Sequence, residues 1–451
     1  MLGIVVSQAD PASVHIGEFL RSLREWETSV DETRADANGG GTVYRTDGVE
    51  LREFEALHLE VEDAAEAFDN PELLVFASKH AGETDELLTA HHTGNFGTAE
   101  FGGQDGRFAR ACPGAHRAVI SALQRHAPPG YEVGMECTHH GPTTVGVPSM
   151  FVEVGSAQEQ WDDPDAAAAV ARAILDLADE PADRPRENGT RRHLVGVGGG
   201  HYAPRFERVI RETDWAVGHI AANWSLDALA EWADSNEERD AVLERAFQAS
   251  AADYALMEGD RPDLREAIES LGYRVVSETF VQETTGVDLH LVEELEADIR
   301  PVADGLRFGD LASEHDGEWT VLTLPDELLA DVRGIDSEAL RETIERRSLA
   351  YATEQNGTVV TGPVVCPAGT DLEAFVGPIV DILERRFDSV ERDAGELIAR
   401  ETAFDPDLAR TADIPEGPKF GKLASGQSVE VDGEEIDPER FQRERIRRYT
   451  L

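Results

Sequence analysis

Four short aliphatic runs limit what this chain can become: residues 2–7 (LGIVVS), 73–78 (LLVFAS), 150–156 (MFVEVGS) and 193–200 (HLVGVGGG). Each is too short for a packed helix, and each ends in a polar or glycine-bearing turn, so each reads as a buried strand. Between them lie stretches with apolar residues at helical spacing, residues 12–26 and 165–179 among them. Continuous apolar strands alternating with helices call for an α/β sheet covered on both faces. A helical tract over 226–257 and a helix-turn-strand over 261–276 extend the pattern.

After about Thr279 the chain becomes carboxylate-rich and turn-rich, and 451 residues suit more than one domain. The expected division is 1–279 and 280–451. Twelve of the fourteen histidines lie before residue 220, which assigns the chemistry to the first part. The second part reads as a smaller α+β extension whose role the sequence does not reveal.

Charge describes the surroundings. The formal net charge is −49, and of 41 basic residues only Lys79, Lys419 and Lys422 are lysines. Carboxylates stay hydrated where salt competes for water, whereas lysine's methylene stem exposes apolar area that high salt drives together. This composition is expected of a protein adapted to high salt. An acidic surface normally argues against nucleic acid, but in multimolar salt the counterion-release gain on phosphates is nearly exhausted, so an RNA substrate stays open. DNA is not expected as a partner. Three scattered cysteines, no basic leader and no apolar run of 18 residues point to a soluble cytoplasmic protein without a membrane partner.

Several segments concentrate chemical groups. Glu136, Thr138, His139, His140, Thr143 and Thr144 fall within nine residues around Cys137 and a Gly-Pro turn. A carboxylate and imidazoles three or four residues apart can converge on a metal or on one water, although a polar turn capping the next element has the same composition. Gly198, Gly199 and Gly200 follow a strand directly, where their bare amides could cradle a phosphate or an oxyanion, with His201 and Tyr202 arriving at the same edge. A plain tight turn is the alternative. The spacing fails as a dinucleotide fingerprint, because position 201 is histidine. His91 and His92 are adjacent on an extended segment before Asn95, so at most one of them faces a site. Lys79 beside His80 suits a phosphate or carboxylate contact.

Taken in order, LGIVVSQADPAS, SKH, LTAHHTGN, ECTHHGPT, FVEVGS, GVGGGHYAPRF and VGHI resemble the archaeal and plant-type D-aminoacyl-tRNA deacylase family over roughly residues 1–279. The resemblance implies a three-layer α/β sandwich like those of nucleoside phosphorylases and peptidyl-tRNA hydrolase. It implies zinc as cofactor, with His91, His140 and His201 as ligands, and D-aminoacyl-tRNA as substrate. Glu136, Thr138, His139, His140 and His201 would be catalytic, and Lys79, His80, Asn95, Gly198, Gly199, Gly200 and Tyr202 would bind substrate. His219 carries over likewise. The chain runs about 170 residues beyond this core, and within that extension residues 417–423 gather two lysines, read as an exposed turn or an RNA contact.

The expected reaction is attack of water on the ester between a D-amino acid and the terminal ribose, with Glu136, His139 and His140 on the water and the Gly198–Gly200 amides on the oxyanion. A side-chain-free glycine wall would exclude the L-enantiomer sterically. No serine elbow of the G-x-S-x-G type is present. A phosphorylase or peptidyl-tRNA hydrolase on the same fold, and a non-enzymatic RNA-end binding protein, are the rival readings.

Carboxylate repulsion acts over a Debye length of about 30 Å at 0.01 M salt. The protein is therefore expected to lose its far-ultraviolet circular dichroism on dialysis into dilute buffer. Full stability there would remove the high-salt reading.

Overall fold

The structure is a computed structural model and describes residues 1–451 other than 188, 394, 415 and 432. The chain forms two compact units, Met1–Thr285 and Gly286–Leu451. Residue 279 lies inside the helix Glu278–Glu283, which belongs to the first unit: Phe280 packs on Trp215 and Tyr254, and the Trp215 indole donates to the Thr284 hydroxyl at 3.2 Å.

The first unit is built on an eight-stranded mixed sheet comprising β1 (Leu2–Ser7), β2 (Glu27–Asp31), β3 (Gly41–Thr46), β4 (Val49–Phe54), β5 (Leu73–Lys79), β6 (Leu87–His91), β7 (Glu132–Met135) and β8 (Ser149–Gly155). Their spatial order is β2-β3-β4-β1-β5-β8-β6-β7. The apolar runs become its centre, since β1, β5 and β8 pair in parallel and bury nearly every residue. β6 then runs antiparallel to β8, bringing its carboxyl end, His91, opposite Phe151. The helices Pro11–Leu23, Pro113–His126 and Pro164–Leu175 each begin with proline, whose missing N–H costs nothing in a first turn. Asp10 caps the first of these by accepting from the N–H groups of Ala12 and Ser13 at 2.9 and 3.2 Å.

The expected single sheet is two sheets. His193–Val197 joins Ala216–Ala221, Tyr254–Met257 and Arg274–Val276 in a separate parallel sheet. β8 is already paired on both sides, by β5 and β6, so it offers no free edge to a further strand. The helical tract expected over 226–257 also divides, into Asn223–Trp232, Asn236–Ser250 and the strand Tyr254–Met257. Ser235 caps the second helix through the Glu238 N–H, which fixes the break.

The second unit is α+β. Antiparallel strands of a four-stranded sheet and a three-stranded sheet pack with helices around Leu328, Tyr351, Val364, Phe375, Ile379 and Leu397. The lysine segment read as a turn is the helix Pro418–Ala424, and the Lys419 ammonium donates to the Glu430 carbonyl at 2.8 Å. Among the described residues no helix is long and apolar enough to cross a membrane.

Two buried histidines of the first unit are locked neutral. His193 Nδ1 faces the Ser250 carbonyl at 2.9 Å while Nε2 accepts the Arg184 N–H at 3.0 Å. His219 Nε2 faces the Ala109 carbonyl at 2.9 Å while Nδ1 meets the Thr138 hydroxyl at 3.0 Å. A second ring proton would have to point at a group that is already donating. Burial accordingly pushes His193 down to about 4 and His219 down to about 3. With folded values below the ordinary 6.5, the unfolded chain binds more protons between them. Stability is therefore complete above about pH 6.5 and falls as pH drops toward 4, by roughly 1.4 kcal/mol per pH unit for each histidine. Denaturant titrations in high salt at pH 7, 6 and 5 should show this decline before the carboxylates titrate.

Candidate active site

Two buried carboxylates lie where the eight-stranded and the four-stranded sheets of the first unit meet. Glu136 follows β7 directly, and Glu153 sits in the middle of β8; they are 1 % and 3 % exposed. The backbone seam is made by an isolated bridge between Glu136 and Tyr202, by the Cys137 N–H on the His201 carbonyl at 2.8 Å, and by the Ala203 N–H on the Met135 carbonyl at 2.9 Å. This seam carries His201 to Glu136, with Nε2 at 2.7 Å from Oε2. The other Glu136 oxygen lies 3.3 Å from His80 Nδ1, the same nitrogen lies 3.6 Å from Glu153 Oε2, and Glu153 Oε1 lies 3.7 Å from His91 Nε2. His80 Nε2 meets the Tyr202 hydroxyl at 2.9 Å. The file His201, Glu136, His80, Glu153, His91 alternates base and acid throughout.

Burial opposes ionisation of Glu136, His80, Glu153 and His91, and pairing overcomes it. For His80 the desolvation cost is the largest influence, yet Glu136 and Glu153 raise it to about 11, so it is an imidazolium at neutral pH. Burial likewise opposes the charge on Glu136, but His201 and His80 hold its carboxyl well below the usual range. Glu153 is lowered against the same cost by His80 and His91, and His91 is raised against burial by Glu153.

A second set adjoins this file. The Nδ1 atoms of His91, His139 and His140 face the carbonyls of His92, Cys137 and Gly141 at 3.1, 2.9 and 2.6 Å. Carbonyls only accept, so each Nδ1 carries a proton and a neutral ring keeps its lone pair on Nε2; in His91 that lone pair is open only when Nε2 does not hold a second proton toward Glu153. One ligand atom from each of the three lies within 4.8 Å of the others, and the buried His91 Nε2 has no hydrogen-bond partner. Burial, followed by the nearby His91, pushes His139 down to about 4; burial, then His139 and His91, holds His140 well below its ordinary value. Three carbonyl-anchored imidazoles beside a cavity could hold a divalent metal with a position left open.

Of the expected ligands His91, His140 and His201, the first two converge with His139. His139 stands between, its ring 4.2 Å from His91 and 4.7 Å from His201, and His201 groups with Cys137 and His139. Thr138 is not in the cavity: its hydroxyl accepts the Ile220 N–H at 3.0 Å and donates to His219, pinning one sheet to the other. Of the glycine-loop amides expected at an oxyanion, one is occupied inside the protein. The Gly198 N–H is taken by the Ala221 carbonyl at 2.8 Å, and a Cβ at Gly198 or Gly199 would meet Glu258. Their positive φ values, 98° and 84°, make the turn that swings His201 and Tyr202 into the seam. His92 points away from the file, toward the Gly218 carbonyl at 3.1 Å.

A cavity of about 810 Å³ opens onto His80, His139, His140, Glu153 and His201. Lys79 and Asn95 line it, Lys79 with its ammonium 5.1 Å from the Trp161 ring centroid and Asn95 with its amide holding the Gly102 carbonyl at 3.0 Å. Sequence reasoning missed Glu153, Asp10 and His58, all facing this cavity. Glu153 did leave a signal, as the lone charge in an otherwise apolar strand. Asp10 did not, because it also reads as a helix cap.

Comparison with known proteins bears on this geometry. Residues 67–276 match the family model described as D-aminoacyl-tRNA deacylase. Proteins named D-aminoacyl-tRNA deacylase from Haloarcula marismortui and Natronomonas pharaonis are 84% and 54% identical over 100% of this chain and of theirs. One from Methanoregula boonei is 32% identical over 92% of each. The crystal structure of AF0625, a conserved protein of unknown function, covers 63% of this chain and 98% of its own with 28% identity and a TM-score of 0.54.

Two substitutions separate seam from site. Thr138→Val strands the Ile220 N–H and the His219 ring nitrogen, and should lower stability by about 2 kcal/mol or more in a melting measurement. Glu153→Gln removes one of the two carboxylates on His80, and an NMR titration should find the His80 pKa lowered from its value of about 11.

Proposed function

The chain belongs to the D-aminoacyl-tRNA deacylase family and hydrolyses D-aminoacyl-tRNA; from that premise we propose which of its residues do the work. The phosphorylase, peptidyl-tRNA hydrolase and non-enzymatic readings give way to this membership. The observation that supports the assignment is the file from His201 to His91, two ionised carboxylates and a trapped imidazolium at the floor of a cavity. So much buried charge has no use in packing.

His201 is the proton acceptor. Glu136 Oε2 takes its Nε2–H at 2.7 Å, which leaves the Nδ1 lone pair free apart from a 3.8 Å contact with the Cys137 thiol, a weak donor. Its side chain is 37% exposed, unlike the buried rings around it, so water and ester reach it. Glu136 orients the ring and stabilises the imidazolium formed when His201 removes the proton of the attacking water. The same proton then goes to the departing ribose oxygen. His80 stays cationic between Glu136 and Glu153, offsets one of their two charges and keeps both ionised. Cys137 is no nucleophile, because burial pushes its thiol up to about 12.

His91, His139 and His140 are the residues that would hold zinc. Their chemistry fits it: three imidazoles whose Nδ1 protons are fixed by carbonyls, which aims each Nε2 as the ligand atom, and a buried His91 Nε2 with no hydrogen-bond partner. When bound, zinc supplies a Lewis acid beside the ester and lowers the pKa of water there. A cytoplasmic location, where aminoacyl-tRNA is made and consumed, follows from this function.

The assignment is tested with D-Tyr-tRNA, L-Tyr-tRNA and N-acetyl-aminoacyl-tRNA in high salt; only the first should be deacylated. Glu136→Gln and His201→Ala should lower turnover roughly 100-fold without loss of bound zinc. His140→Ala should lose the zinc itself by elemental analysis. Wild-type turnover in the first two variants would remove Glu136 and His201 from the mechanism.

A further inference from the structure

At the mouth of the cavity stand two large aromatic side chains that the described residues leave exposed: Phe101 is 66% exposed and Trp224 is 49% exposed. Both are fixed to the reacting centre. The Phe101 carbonyl accepts the Gly141 N–H at 2.9 Å, one residue beyond His140. The backbone there is so close that a Cβ on Gly141 would lie 2.4 Å from the Gly103 nitrogen. Trp224 is the second residue of the helix Asn223–Trp232, whose first N–H donates to the Gly199 carbonyl at 2.9 Å. Its indole lies beside Cys137, the thiol in contact with His201.

The charges around the cavity exclude one kind of recognition. Its lining carries Asp10, Glu100, Glu153 and Glu231 against Lys79 and the His80 imidazolium, which is itself held between Glu136 and Glu153. Such a lining suits the ammonium of an aminoacyl group and repels phosphate. In multimolar salt the screening length falls to about 3 Å or less, so attraction to the RNA backbone contributes little. Stacking of a base on an aromatic ring does not depend on counterions, and salt strengthens apolar contact.

Resting on the deacylase reading above, we propose that Phe101 and Trp224 form the subsite for the base of the 3′-terminal nucleoside, the one whose ribose carries the aminoacyl ester. Its ribose then lies at the cavity mouth and the ester beside His201, His139 and His140. The pair sets affinity for the nucleic-acid end, and the affinity holds as salt rises.

The test uses the full chain in 2 to 4 M KCl with three esters of one acid, D-alanyl-tRNA, 3′-O-D-alanyl-adenosine and D-alanine methyl ester, and with the corresponding D-tyrosyl esters alongside. Trp224→Ala and Phe101→Ala should each raise KM for the first two by roughly tenfold, leave kcat in place, and leave methyl ester hydrolysis at the wild-type rate. Trp224→Phe should restore most of the loss, and free adenosine should compete with the wild type better than with Trp224→Ala. An equal loss on the methyl ester would overturn the proposal in favour of a structural role. A loss on D-tyrosyl but not D-alanyl esters would overturn it in favour of the amino-acid side chain as occupant. If the wild type cleaves neither D-alanyl-tRNA nor the adenosyl ester, the deacylase reading itself fails; if it cleaves both and the variants match it, only the subsite does.

Discussion

An ionised carboxylate with no access to water is among the costliest groups a protein can bury, and Glu136 is such a group. The surrounding architecture answers that cost. His80 comes from the residue after β5, His201 from the loop after His193–Val197, and Glu153 and His91 arrive on β8 and β6. Removing one imidazole would leave a carboxylate uncompensated, and removing one carboxylate would leave a buried cation. The two sheets are therefore held at this seam by charge as well as by the backbone bonds of residues 135–137 to residues 201–203.

The metal-capable histidines show a different kind of order. Each spends its Nδ1 proton on a carbonyl one or two residues away, so the turn that carries it also selects its tautomer. The local backbone is strained to allow this: His140 has φ 45°, a left-handed conformation that costs a non-glycine residue about 1 kcal/mol or more. Gly141 follows because a side chain there would strike the backbone of Gly102 and Gly103. The density of polar residues in ECTHHG thus reflects two demands, a tight turn and a set of converging nitrogens.

The acidic surface and the aromatic cavity mouth belong to one solution. With 90 carboxylates against 41 basic residues the protein stays hydrated in salt but gives up electrostatic steering of RNA. Recognition then falls to contacts that salt does not screen. The resemblance to relatives from Haloarcula and Natronomonas runs over the whole length of the chain, so the second unit is shared with them as well.

What the sequence determined by itself was local. The apolar runs of β1, β5 and β8 and the histidine clusters at 91–92, 139–140 and 201 were legible because burial and residue chemistry leave their marks over a few positions. Tertiary structure alone decided the rest. That His193–Val197 starts a second sheet depends on β8 having both edges filled, a fact about strands distant in the chain. That the Gly198 N–H is spent on the Ala221 carbonyl, and that His139 comes within reach of both His91 and His201, depends on how segments distant in the chain meet. Glu153 looked like an oddity in an apolar strand until His80 and His91 were brought against it. A side chain's type is written in one place, whereas its partners come from segments up to more than a hundred residues away, and charge inside a protein has meaning only through its partners.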